Sequence, residues 1–183
     1  MLLKTLVFLS INLFFIEIVS AQKLSIGVGA YAIDAKVGSN STSLSNVGAY
    51  KIQYHSKIQE EFEFILGYTV LIQNVVSGDK AFGPLMGFSY YPFGSQTITQ
   101  SSSSNISILG IRNFNPYFTL GFTQRQYQSI KSAYSGFFFG GGLEIGWTKR
   151  IALFSDLQYS NLDGPTDGKA TEVTATAGIT YHY

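Results

Sequence analysis

Few residues in this chain could do chemistry, and their spacing argues against most of what they could do. Cysteine is absent, which excludes thiol chemistry and a disulfide scaffold, and histidine occurs only twice, at His55 and His182. Acyl transfer needs a hydroxyl, a base and an orienting carboxylate within mutual reach. His55 adjoins Ser56, but successive residues of a strand point to opposite faces. His182 falls in the last strand-like segment, so no outward-facing triad can be assembled. "GVGAYA" at Gly27–Ala32 matches the dinucleotide pattern GxGxxA, which also needs a helix behind it. None follows, and the glycines are better read as leaving room for neighbours. "NLDGPTDG" puts Asn161, Asp163 and Asp167 in one loop. Calcium could use those oxygens, yet the spacing fits no strict template and the segment is ordinary turn chemistry. Asn40-Ser41-Thr42 and Asn105-Ile106-Ser107 match the glycosylation pattern and are read as polar loop residues. The expectation is no enzyme, no catalytic residue, no metal and no cofactor.

The elements around these residues are clearer. "MLLKTLVFLSINLFFIEIVSA" has a basic start at Lys4, an apolar run from Leu6 to Ile16, and the small-x-small end Val19-Ser20-Ala21. That is the pattern of a secretory signal peptide over 1–21, and the run is too short for a spanning helix. Residues 22–183 then form one domain. Charged residues are 13% of the chain and aromatics 15%, with 19 glycines and a net charge of +1. The usual charged share is about 25%, and this balance suggests no nucleic-acid partner.

Period-two alternation, the mark of a strand with two different faces, recurs eight times after residue 22. The segments are "KLSIGVGAYAID", "VGAYKIQYHS", "EEFEFILGYTVLIQ", "AFGPLMGFSYYPF", "PYFTLGFTQRQ", "GFFFGGGLEIGWT", "IALFSDLQYS" and "TEVTATAGITYHY". About ten residues is the length of a tilted strand that crosses a bilayer. Connections 36–46, 73–80, 126–135 and 160–169 are long and polar; those near Lys57–Glu60 and Lys149–Arg150 are tight. Long loops at one end and short turns at the other are the pattern of an outer-membrane barrel. Residues 94–115 break it, flanked by Pro92 and Pro116. They are read as a hairpin or loop on the periplasmic side, with a ten-stranded barrel as the alternative.

A soluble barrel would turn the apolar face inward. Here that face carries Phe62, Phe64, Tyr68, Phe118, Phe122, Phe137, Phe139 and Trp147, too much volume for a closed eight-stranded interior. The other face is mostly Gly, Ser and Thr, without the Lys and Glu that a soluble outer surface carries. The aromatic face therefore points to lipid. Lys51, Glu61, Glu63, Arg125, Glu144, Asp156 and Glu172 then point inward, where charges must pair. Tyr50, Tyr54, Tyr90, Tyr91, Phe93, Tyr159, Tyr181 and Tyr183 are placed at strand ends, suited to headgroup girdles. Tyr127 and Tyr134 are read as loop aromatics available to an outside partner.

With these segments, "NPYFTLGF" opening a strand and the aromatic C-terminus, the chain resembles the small outer-membrane β-barrels of Gram-negative bacteria, of the OmpX type and the OmpA-type transmembrane domain. The resemblance covers residues 22–183. It implies an all-β fold, an eight-stranded antiparallel up-and-down transmembrane barrel in the bacterial outer membrane with both termini periplasmic. It implies a monomer that meets outer-membrane lipid and, during biogenesis, the barrel-assembly machinery. In that family the last strand is an assembly signal, and Thr176, Gly178, Tyr181 and Tyr183 match its spacing, with Tyr where Phe is usual. The expected role is envelope-structural or surface interaction through the extracellular loops. A narrow porin-like channel and a lipid-modifying outer-membrane enzyme are the alternatives.

Overall fold

The computed structural model describes residues 23–37, 40–72, 80–95, 98–103, 106–111, 114–128, 131–165 and 167–183. The expected signal peptide and most of the 73–80 connection lie outside them. The strands are β1 (Lys23–Val37), β2 (Asn40–Lys57), β3 (Phe62–Ile72), β4 (Lys80–Tyr90), β5 (Ile98–Ser103), β6 (Ile106–Ile111), β7 (Asn115–Tyr127), β8 (Ser132–Gly146), β9 (Ile151–Asp163) and β10 (Lys169–His182). Eight of them close a barrel in the order β1-β10-β9-β8-β7-β4-β3-β2, while β5 and β6 pair only with each other as a separate two-stranded sheet. All barrel pairings are antiparallel, and β1 meets β10 from Lys23↔His182 to Lys36↔Lys169. The barrel is eight-stranded, and the 94–115 insertion is a hairpin outside its wall.

Lys23 and His182 mark one end, called here the near end. Its turns are tight: at 58–61 the Ile58 N–H donates to Phe62 O at 2.9 Å, and at 147–150 the Trp147 N–H donates to Ile151 O at 2.9 Å. At the opposite, far end the strands run further than the polar composition suggested. β1 and β2 continue to Val37 and from Asn40, and β7 and β8 to Tyr127 and from Ser132. Serine, threonine and asparagine mark turns by composition, but here they continue the ladder.

The outer face follows the expected parity. Climbing from the near end, β1 presents Leu24, Ile26, Val28, Ala30 and Ala32 outward, then Asp34 and Lys36. β10 presents Tyr181, Ile179, Ala177, Ala175 and Val173, then Thr171 and Lys169. The polar change comes at the same height on both. Eight residue steps at 3.3 Å, tilted as barrel strands are, make an apolar band about 20 Å tall. Its aromatics stand open, Phe137 at 72% exposure and Phe118 at 60%. One slip in register sits between Gly29 and Ala30, opposite Ala49 and Val47 of β2. Gly48 is the extra residue of this bulge, so odd positions face inward after it and even positions before it.

The lumen differs from the expected small polar lining. It also holds Ile65, Leu85 and Phe138 as one buried cluster, and Tyr31, Ile33, Ala49, Leu71 and Ala81 as another. Glycine makes the room. A Cβ on Gly121 would stand 2.8 Å from the Phe138 ring, and one on Gly27 would stand 2.7 Å from the buried Phe154 ring. Gly178, directly opposite Gly27, has no space at all: its Cβ would lie 2.0 Å from Ile26 O. Gly178→Val is therefore expected to lose about 1–3 kcal/mol, the range for overpacking. Ala177→Val, facing out next to it, should be neutral. Heat-modifiable gel mobility and urea unfolding in lipid check the pair.

Candidate functional site

Inside the wall, charged and hydroxyl side chains meet at three heights. The near level centres on Lys23, the first residue of β1. Its Nζ lies 2.9 Å from Glu63 Oε1 and 3.4 Å from Glu144 Oε2, and it also donates to Ser95 O. The second oxygen of each carboxylate faces a histidine. His55 Nδ1 is 3.1 Å from Glu63 Oε2, and His182 Nε2 is 2.9 Å from Glu144 Oε1. Tyr91 enters from the side, its ring 4.5 Å below the Lys23 ammonium and 5.3 Å from the Tyr117 ring. The Tyr91 hydroxyl donates to Glu144 Oε2 at 3.4 Å.

The middle level joins Lys51 to Asp156, which also accepts from the Thr176 hydroxyl. The far level is a fork. Arg125 Nε reaches both oxygens of Glu172 at 3.2 and 3.1 Å, and its Nη2 reaches Oε1 at 3.0 Å. Arg125 Nη1 donates to Thr123 Oγ1 at 2.6 Å. Both members of this ion pair are fully enclosed, at 0% exposure. Around it stand the aromatics Tyr31, Tyr127 and Tyr134, with Tyr127 and Tyr134 edge to face at 5.2 Å.

The residues expected inside thus fall into separate sets. Lys51 meets Asp156, Arg125 meets Glu172, and Glu63 and Glu144 share Lys23. Glu61 does not join them. It is exposed in the turn before β3, because that strand begins at Phe62 and alternation was carried one residue too far. Tyr127 and Tyr134 are not loop aromatics either. They end β7 and begin β8 on inward positions, and Tyr134 is only 3% exposed. Tyr91 leaves the expected girdle for the lumen by continuing the inward parity of β4. Tyr50 stands opposite Val28 and Val70, within the band rather than at a strand end. Of the expected assembly-signal residues, Thr176 and Gly178 lie on inward positions, Tyr181 packs on Tyr183 at 5.2 Å, and Tyr183 is exposed. The sequence reading missed Lys23, although the parity that turns Ser25 inward turns Lys23 inward too.

One arrangement was not foreseen. Ser25 Oγ is 3.1 Å from His55 Nε2, whose Nδ1 faces Glu63, and Ser25 also lies 2.9 Å from Thr180 Oγ1. This has the connectivity of a hydroxyl–base–acid relay. However, Glu63 is also bound by Lys23, and Ser25 is buried in the wall, facing the lumen. The chain neighbours of Ser25, Leu24 and Ile26, are paired on both sides in the ladder, whereas acyl transfer needs free donors for an oxyanion.

Against known proteins, no protein-family model and no curated protein matches the chain. Solved structures do. Neisserial surface protein A (NspA) aligns with a TM-score of 0.52 at 13% identity, over 87% of this chain and 97% of that one. The fold is that of the small outer-membrane barrels. Two more structures align at lower scores. Ail of Yersinia pestis, in complex with the heparin analogue sucrose octasulfate, gives 0.45 at 15% identity over 87% of this chain and 99% of that one. The N-terminal β-barrel domain of Pseudomonas aeruginosa OprF gives 0.46 at 13% identity over 88% and 98%.

The far pair gives a clean test of lumenal energetics. Removing one partner leaves a buried, unpaired charge, which costs about 3–5 kcal/mol. Arg125→Met is expected to destabilise the barrel by that amount. Adding Glu172→Met should recover most of it. Urea unfolding of the single and double variants in liposomes reads both.

Proposed function

We propose that this chain is a monomeric, non-catalytic outer-membrane barrel, with the near end and both termini in the periplasm. Its far-end hairpins would act outside, in surface interaction or in support of the envelope. One observation carries this reading. The outer face is a predominantly apolar band that turns polar at the same height on β1 and β10, around a lumen crossed by paired charges and packed rings. A hydrocarbon phase accepts the first. The second leaves the wall and the exposed rims as the places where a partner can be met.

The far rim supports the outward role. Above the band it carries Lys36, Asp34, Asp163, Lys169 and Lys80, charges of both signs on exposed positions. Tyr127 and Tyr134, buried beneath, support this rim instead of reaching past it. The channel alternative is opposed by Arg125 with Glu172, Phe138 with Leu85, and Lys23 with its two carboxylates, which obstruct the lumen at successive heights. The enzyme alternative has one arrangement to offer, Ser25 with His55, and it is enclosed.

Four measurements test the reading. The protein is expected in the outer-membrane fraction with a gel mobility that changes on boiling; a soluble protein of fixed mobility would refute the membrane assignment. Planar bilayers holding it should stay silent, and stepwise conductance would favour the channel. A fluorophosphonate probe should leave Ser25 unlabelled, and labelling lost in Ser25→Ala would restore the enzyme. Deleting Tyr183 should lower insertion while leaving export unchanged.

A further inference from the structure

Strands β4 and β7 are neighbours in the barrel, and their ladder has a gap. Partners run from Ala81↔Tyr127 to Phe82↔Gln126, then resume at Leu85↔Thr123 and continue to Tyr90↔Phe118. The same register sets Gly83 opposite Arg125 and Pro84 opposite Gln124, yet among the described residues neither couple is paired across the seam. In the other barrel pairings the partners follow without a gap, the bulge at Gly48 apart. Proline is the cause, because it has no N–H to give to a ladder.

The carbonyls beside the gap show what is missing. Thr123 Oγ1 donates to Pro84 O at 3.1 Å, so that carbonyl faces β7. A Cβ on Gly83 would lie 2.0 Å from Gln124 O, so that carbonyl faces β4. Gln124 O thus points to the place where a residue other than proline would offer an N–H. Pro84 and Gln124 are both exposed positions of the outer face. In the lipid-facing wall proposed above, water cannot stand in for the absent donor, and an unsatisfied carbonyl is costly.

We propose that Arg125 supplies the missing rung from the lumen, so that the seam between β4 and β7 is held shut from inside by a staple of Thr123, Arg125 and Glu172. Arg125 Nη1 donates to Gln124 O at 3.1 Å and to Thr123 Oγ1 at 2.6 Å. Thr123 carries the link across the gap to Pro84 O. Arg125 Nε and Nη2 are taken by the Glu172 carboxylate of β10. The guanidinium is planar and its donors are fixed in a fork, so the grip of Glu172 on one side turns Nη1 to the wall on the other. The ion pair therefore acts on the backbone as well as on its own charges. The seam at Pro84 is where the wall parts first once the staple is released.

Hydrogen exchange read by mass spectrometry in liposomes tests the staple. Arg125→Met/Glu172→Met removes the ion pair without leaving a buried charge. Exchange in β4 and β7 is expected to quicken several-fold in it, with β2 unchanged. Adding Pro84→Ala gives Gln124 O an N–H and should return β4 and β7 to the rate of the unsubstituted barrel. Equal rates in β4 and β7 before and after the double substitution overturn the proposal, and so does a quickened rate that Pro84→Ala leaves in place. Should the double variant give no heat-modifiable band, Thr123→Val must quicken the same two strands on its own, and an unchanged rate overturns the staple equally. The membrane reading, on which the demand for a donor rests, is tested apart from this by fractionation.

Discussion

Hydrocarbon offers a backbone no partner for its N–H and C=O groups, so a sheet placed in it must have no edge. The pairing of β1 with β10 leaves no such edge in the barrel, from Lys23↔His182 up to Lys36↔Lys169. Everything else follows from closing this ring with eight strands. The circumference is small, so inward positions must hold little volume or fit closely. Glycine at 27, 121 and 178 gives up side chains where Phe154, Phe138 and the β1 backbone come close. Outward positions have no such limit, and the aromatics accumulate there.

Closure also decides what the lumenal charges can do. Each sits in a narrow space with little water, where an isolated charge is costly. Each therefore has a partner from across the barrel or from a near neighbour in the wall. Lys51 and Asp156 span the lumen, Arg125 forks onto Glu172, and Lys23 serves two carboxylates that each also hold a histidine. The far two levels are balanced pairs. The near level gathers the most groups, and it is also the level that touches a segment outside the wall.

Much of this was legible from alternation alone. Phe118, Leu120 and Phe122 against Thr119, Gly121 and Thr123 state the inside and outside of β7 without any structure. What alternation misses is where it starts, stops or slips. Alternation places Glu61 inward, but the residue belongs to a turn. Tyr91, Tyr127 and Tyr134 resemble girdle or loop residues because aromatics beside polar stretches do, yet their odd or even positions place them inside. The bulge at Gly48 exchanges the parity of β2 in mid-strand, and Ser-rich composition hid the strand beyond it. Lys23 stands beside the expected cleavage site, where a basic residue gives no sign of the near-level cluster that it joins. The partners of a charge lie on strands distant in sequence, and periodicity on one strand holds no information about them.

That distance has a consequence of its own. The near, middle and far charge contacts join residues 121, 105 and 47 positions apart. None can form until strands far apart in the chain face one another in the correct register. A one-residue slip in a strand that carries a lumenal charge would turn that charge to the apolar outer face; in a bilayer, a basic side chain at the midplane costs about 2–4 kcal/mol. The ion pairs therefore act as a check on alignment. They add little to a correctly assembled cylinder compared with its ladder, but they make the misaligned ones intolerable, and so one sequence of modest hydrophobicity settles on a single pairing among many that its backbone alone would accept.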